Sequence, residues 1–170
     1  MTKRIACGNR QPLDPRRVNI AADGNVFNRG LSEEDDRQLD RLQHIKDSGQ
    51  INFVIAGGVR DEVLHPNTPA SKKAAVMGEI FNLRPTRNAD QEEKRRAVAA
   101  VLQGNAQPGR HAADASHLSE AVEYGACYFI TRDERILKKR AEIYAVTPPT
   151  LQIVTVDEFL AIYDWYVLSA

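Results

Sequence analysis

The chain reads as an α/β domain: a mainly parallel sheet of four to five strands flanked by helices. Three observations predict it. Short apolar runs rich in strand formers, Ile51–Ile55 (INFVI), Cys127–Thr131 (CYFIT) and Leu151–Thr155 (LQIVT), alternate with stretches of helical periodicity. Each run is followed by a turn or cap signal and then a helix, the order that gives parallel strands with helices on both faces. A chain of 170 residues, 42% hydrophobic and 27% charged, makes one domain with a core that needs no staples.

Residues 1–15 carry two prolines and few apolar positions, so they read as an extended polar lead-in to a single domain at 16–170. Arg16–Asp23 is the first strand, with Val18 and Ile20 as core candidates, and Asp23-Gly24-Asn25 is a turn-prone ending. Ser32 caps the next helix, with Asp35 as its reciprocal capping-box partner, and Leu39, Leu42 and Ile45 form its apolar stripe. After INFVI, Gly57-Gly58 leads into a helix Val59–Leu64 that Pro66 ends. Ser71–Leu83 and Ala89–Gln103 read as a helical pair separated by Pro85, and Gln107-Pro108-Gly109 breaks the pattern. Ala115, Leu118, Ala121 and Val122 then keep helical spacing up to Gly125, a good C-cap. Asp133 follows the CYFIT strand, placed to cap a helix Glu134–Arg140. The last helix, Val156–Leu168, carries Phe159, Leu160, Tyr163 and Trp165.

Composition removes several function classes. Lys plus Arg equals Asp plus Glu, which gives no support for a globally basic nucleic-acid binder, although local patches matter more than totals. Cys7 and Cys127 are the two cysteines, one in the lead-in and one in a strand, so no disulfide is expected. No apolar run is long enough to span a membrane, and the chain reads as cytoplasmic. There is no GxxxxGK[ST] or GxGxxG loop to cradle a nucleotide, and no GxSxG elbow. His111 and His117 flank Asp114, but the absence of any CxxC pair argues against zinc; His117 is expected to border the acidic site or cap a polar contact.

Four acidic positions share one structural address. Asp23 ends the first strand, Glu62 lies about a helical turn beyond the second, Asp114 is on the helix before the third, and Asp133 follows the third. In a parallel sheet all four converge on one edge. Carboxylates that close repel unless a cation joins them, and Mg²⁺ or Mn²⁺ is the hard ion that prefers such oxygen ligands. Such a site supports water attack in line at phosphorus. Each position also has a plainer role: Asp23 as a turn residue, Asp61 as a rival to Glu62, Asp114 paired to an arginine, and Asp133 as an N-cap.

Together these residues resemble the PIN domain, a small α/β fold of metal-dependent ribonucleases with many members that are VapC-type toxins. The resemblance rests on Asp23-Gly24-Asn25-Val26-Phe27, Glu62 after INFVIAGGVRD, Asp114 in DASHLSEA, Thr131-Arg132-Asp133 after CYFI, and the closing IVTVDEFL, and spans about residues 16–165. It implies that Asp23, Glu62, Asp114 and Asp133 are the catalytic and metal-ligating quartet, with Asn25 and Thr131 ordering the site. It implies endoribonuclease cleavage of single-stranded RNA, leaving 5′-phosphate and 3′-hydroxyl ends, and as partners a small antitoxin protein and a second copy in a homodimer. Arg132, Lys138, Lys139 and Arg140 follow the proposed catalytic turn and are the candidate RNA-phosphate contacts. Two departures stand out: Gly24 replaces a usual Thr or Ser, and Gly57-Gly58 stands where a hydroxyl residue often precedes the Glu-bearing helix. Gly24 gives weight to the alternative of a PIN-like RNA- or protein-binding module with little or no nuclease activity.

Overall fold

Four short strands, β1 (Asn19–Ala22), β2 (Asn52–Val54), β3 (Ala126–Ile130) and β4 (Gln152–Val154), form one sheet in the order β2-β1-β3-β4, and every pair is parallel. This is a computed structural model, and it describes residues 10–76 and 87–169. The expected fold class holds, with four strands.

Alternation along the strands divides the core into two layers. Ile20, Ala22, Tyr128, Ile130 and Val154 point to one face. There they meet α1 (Glu33–Asp47) through Leu39, Leu42 and Ile45, α2 (Gly57–Val63) through Val59 and Val63, and α8 (Val156–Leu168) through Phe159, Leu160 and Tyr163. Ala21, Phe129 and Ile153 point to the other face. They pack on α4 (Ala89–Gln103), α5 (Ala112–Glu123), α6 (Glu134–Lys138) and α7 (Arg140–Ala145). Helix α3 (Ala70–Val76) follows α2 and contacts it.

Several boundaries differ from the sequence reading for local reasons. The first strand starts at Asn19, because Asp14 accepts from the Arg16 amide and caps a 3-10 turn at Pro15–Arg17. Ser32 caps α1 by accepting from the Asp35 amide at 3.0 Å. The reciprocal arm changes, however: the Asp35 carboxylate takes the Ser32 hydroxyl at 2.5 Å rather than a backbone amide. The helix expected over Glu134–Arg140 is two short helices meeting at Lys139. Trp165, grouped with the apolar residues of the last helix, is 46% exposed. Helix α3 covers the start of the helix expected at Ser71–Leu83; the remainder, Pro85 and Cys7 lie outside the described residues.

The described end of the lead-in is fastened rather than loose. Arg10 donates to the carbonyls of Tyr144, Pro148 and Leu151 and stacks 4.0 Å over the Tyr144 ring. Tyr128 and Tyr166 donate to the Leu13 and Pro12 carbonyls. A buried tyrosine hydroxyl needs a partner, and this segment supplies two of them.

Candidate functional site

The strand order places a switch point between β1 and β3: the chain leaves β1 toward β2 on one side, and leaves β3 toward β4 on the other. Open parallel sheets form a crevice at the carboxyl ends of such a pair. Asp23 follows β1 and Thr131-Arg132-Asp133 follows β3 at that point.

Short polar side chains bind these two strand ends together. The Asp23 amide donates to the Ile130 carbonyl at 2.9 Å, which extends the ladder by one residue. Its carboxylate Oδ2 accepts from Asn25 Nδ2 at 3.0 Å and from the fully buried Thr131 hydroxyl at 3.2 Å. The Asn25 side-chain carbonyl in turn accepts from the Arg132 amide at 3.1 Å. Thr131 Oγ1 also accepts from the Asp133 amide at 3.0 Å. Asp133 Oδ1 then accepts from the Arg135 and Ile136 amides and caps α6. Asp133 is therefore the N-cap its plainer reading required, in a role compatible with a second one.

Helices α2 and α5 bring the rest. The Glu62 carboxylate lies against Gly24: a Cβ there would stand 3.3 Å from Glu62 Oε2. Gly58 makes the corresponding room for His117, since a Cβ would come 2.8 Å from His117 Cδ2. Two of the three glycines noted as departures in the sequence, Gly24 and Gly58, thus sit where Glu62 and His117 are packed. The Gly58 amide donates to Glu120 Oε2 at 2.9 Å, tying α2 to α5.

His117 is buried, and its Nδ1 stands 3.5 Å from Asp23 Oδ1, at ion-pair distance but outside hydrogen-bond geometry. Burial is the largest single influence and favours the neutral ring, but Asp23, with the charges of Glu62 and Glu120, outweighs it and raises the His117 pKa above the ordinary 6.5. Asp114 lies in the first turn of α5 with 30% of its side chain exposed, and its partner is His111, at 3.3 Å, rather than an arginine. Burial pushes its carboxyl pKa up, the His111 contact pulls it down, and the charges of Asp133 and Asp23 push it up again, for a net rise. Asp114 therefore lies within electrostatic reach of two other members of the quartet. Among the described residues, no three or more Asp, Glu, His or Cys side chains are grouped so that together they could hold a metal ion.

The cations named from sequence have other attachments. Arg132 is largely buried and donates to the Asn28 and Asp35 carbonyls, with the Asp35 carboxylate 3.9 Å away. Lys139 donates to the Val101 carbonyl. Arg140 donates to the Ile153 carbonyl and to Glu158 at 2.8 Å. These three hold neighbouring elements in place through bonds that sequence alone did not show. Lys138 is 74% exposed and pairs with Glu134 one turn away. Sequence reasoning also passed over His111 as the partner of Asp114, although the i, i+3 spacing on a helix was the available signal. Glu120 carried the same signal relative to His117.

None of the protein-family models, curated proteins or solved structures compared with the chain matches it.

Proposed function

We propose that the chain is a PIN-like, metal-dependent endoribonuclease that hydrolyses single-stranded RNA by water attack at phosphorus. The observation that carries this reading is the gathering of carboxylates at the β1/β3 switch point. Asp23 and Asp133 are fixed at the strand ends, Glu62 lies against Gly24, and Asp114, whose carboxyl pKa is raised mainly by burial, also feels the charges of Asp133 and Asp23.

The donor set is carboxylate oxygen, which fits Mg²⁺ or Mn²⁺, and a cation would offset both the burial of the Asp114 carboxylate and the like charges of Asp133 and Asp23 near it. A closed protein cage is not required, because Mg²⁺ is ordinarily held by one or two carboxylates with waters and substrate phosphate. One or two of Asp23, Glu62, Asp114 and Asp133 would hold the ion directly, and the others would reach it through its waters. When bound, such an ion supplies positive charge to the phosphate and acidity to water. The chain's own residues orient the site. Asn25 and Thr131 fix the Asp23 carboxylate, and Thr131 passes that order to Asp133 through its amide. His111 steadies Asp114 at the rim, where a strand can reach it.

The test is cleavage of a labelled single-stranded RNA by the purified protein with Mn²⁺, with Mg²⁺ and with EDTA, beside an Asp114→Asn, Asp133→Asn variant. Metal-dependent cleavage lost in the variant is expected. Equal cleavage by the variant would reject the site.

One observation favours the second reading, a binding module of the same fold. Both Asp23 oxygens already face protein donors, Oδ2 toward Asn25 and Thr131 and Oδ1 toward His117. Calorimetric titration with Mn²⁺ separates the two: the module reading expects no binding heat.

A further inference from the structure

A groove of about 580 Å³ opens beside Glu62, within the size range of ligand sites. Phe27, itself nearly buried and edge-on to Phe53, is part of its lining. Arg29 lines it from the stretch after β1, and His65, Ser71 and Lys72 line it from the stretch after α2. Among the described residues of the lining, Glu62, whose carboxylate lies against Gly24 next to Asp23, is the one carboxylate. The groove therefore runs from the acidic site into a basic, donor-lined channel.

The hydrogen bonds sharpen that polarity. Lys72 Nζ donates to the neutral Asn28 side-chain carbonyl at 2.9 Å, so this bond leaves its charge uncompensated. Arg29 donates to Asp40 at 2.6 Å and to Gln43 at 2.9 Å, with 39% of its side chain still exposed. His65 Nδ1 accepts from the Asn67 amide at 3.3 Å, which puts the ring proton on Nε2 as a donor. A wall of cations and N–H donors that ends at a carboxylate cluster is complementary to a chain of phosphates leading to one reacting phosphate.

We propose that this groove carries the RNA strand on one side of the scissile bond, with Lys72 and Arg29 contacting backbone phosphates and His65 Nε2–H donating to a phosphate or a base edge. The inference rests on the nuclease reading and adds Lys72 and Arg29 to the candidate phosphate contacts.

The experiment measures binding of a short fluorescein-labelled single-stranded RNA by anisotropy, between about 50 and 200 mM salt. It uses the full chain with Asp114→Asn, so that the probe stays intact. Arg29→Gln with Lys72→Gln is compared with a charge-matched control, Arg17→Gln with Arg96→Gln, two exposed residues outside the groove. The groove pair should weaken binding about tenfold and lower the slope of log affinity against log salt by about 1.4, two contacts at about 0.7 each. The control should move neither quantity by more than a small fraction of that. An equal loss in both doubles, or no loss in the groove double, would overturn the groove as an RNA path; the second result would leave it to a protein ligand. RNA cleavage by the unmodified protein with Mn²⁺ reads separately on the nuclease, so either claim can fail without the other.

Discussion

The two flanks of the acidic edge are built differently. At the β1/β3 corner, Asp23, Asn25, Thr131 and Asp133 are short side chains locked to each other and to backbone amides, with Asp23 and Thr131 buried. On the α2/α5 side, Glu62 and Asp114 reach the site from helix surfaces: Glu62 closes against a glycine, and Asp114 is steadied by one histidine. The first flank is set by folding itself. The second is held by packing and charge, and is the half a substrate or ion could adjust. Sites need both a rigid frame and groups free to respond, and here the two duties fall on different elements.

That division can be broken first at Asp23. Replacing Asp23 with Ala removes the acceptor for two donors and leaves the His117 ring buried without its counter-charge. A loss of about 3 kcal/mol in urea denaturation is expected, with RNA cleavage abolished. Thr131→Val keeps the shape and deletes the hydroxyl that joins Asp23 to Asp133; about 1–3 kcal/mol should be lost by the same measurement. If Thr131→Val were silent in both stability and cleavage, the corner would not be the rigid half.

Smaller effects sharpen the contrast. Gly58→Ala drives a methyl into the His117 ring and should cost about 1–3 kcal/mol. Gly24→Ala meets only the far end of the Glu62 side chain and should cost less than about 1 kcal/mol, while shifting metal affinity. Asp114→Asn should leave stability within about 1 kcal/mol of the parent, because the fold already disfavours its charge, yet eliminate cleavage. Stability loss at Asp114 as large as at Asp23 would erase the distinction between the flanks.

The smallest signal is a titration. The folded state binds the His117 proton more tightly than an ordinary histidine does. Its contribution to stability is therefore complete below about pH 6.5 and disappears as pH rises through the elevated folded pKa. NMR of the His117 ring should place the midpoint above 6.5, and His117→Gln should flatten the melting temperature across that window. A midpoint at or below 6.5 would mean that burial, not Asp23, governs the ring.

Most of the fold could be read from the sequence, because its signals were local. Periodicity located the strands INFVI, CYFIT and LQIVT and the faces of α1, α5 and α8, and Gly125, at φ 75°, ends the turn before β3 as its left-handed conformation requires. The strand order was not local information, and neither was the register that ties Asp23 to Thr131. Asp23 and Asp133 were nameable because each follows a strand end, whereas Asn25 and Thr131 were named by the resemblance to the PIN pattern. The attachments of the basic residues were not legible, because spacing says where a long side chain starts and nothing about which carbonyl it finds. Arg132, Lys139 and Arg140 lie near the site in sequence but satisfy carbonyls of other elements. Arg29 and Lys72, more than 40 residues apart, share a groove that only the folded chain creates.

The pairing of β1 with β3 also sets a timetable. Asp23 and its buried partner Thr131 are 108 residues apart, and ribosomes add about 5–20 residues per second. The amino-terminal aspartate therefore waits roughly 5 to 20 seconds for the threonine that completes its surroundings. Until then the central seam of the sheet cannot close, and a nascent chain holds β1 without the neighbour on its second edge. Assembly of the sheet centre and assembly of the acidic corner are one event. A chain interrupted before residue 131 would lack both, so a truncated product could not carry the proposed RNA-cutting activity.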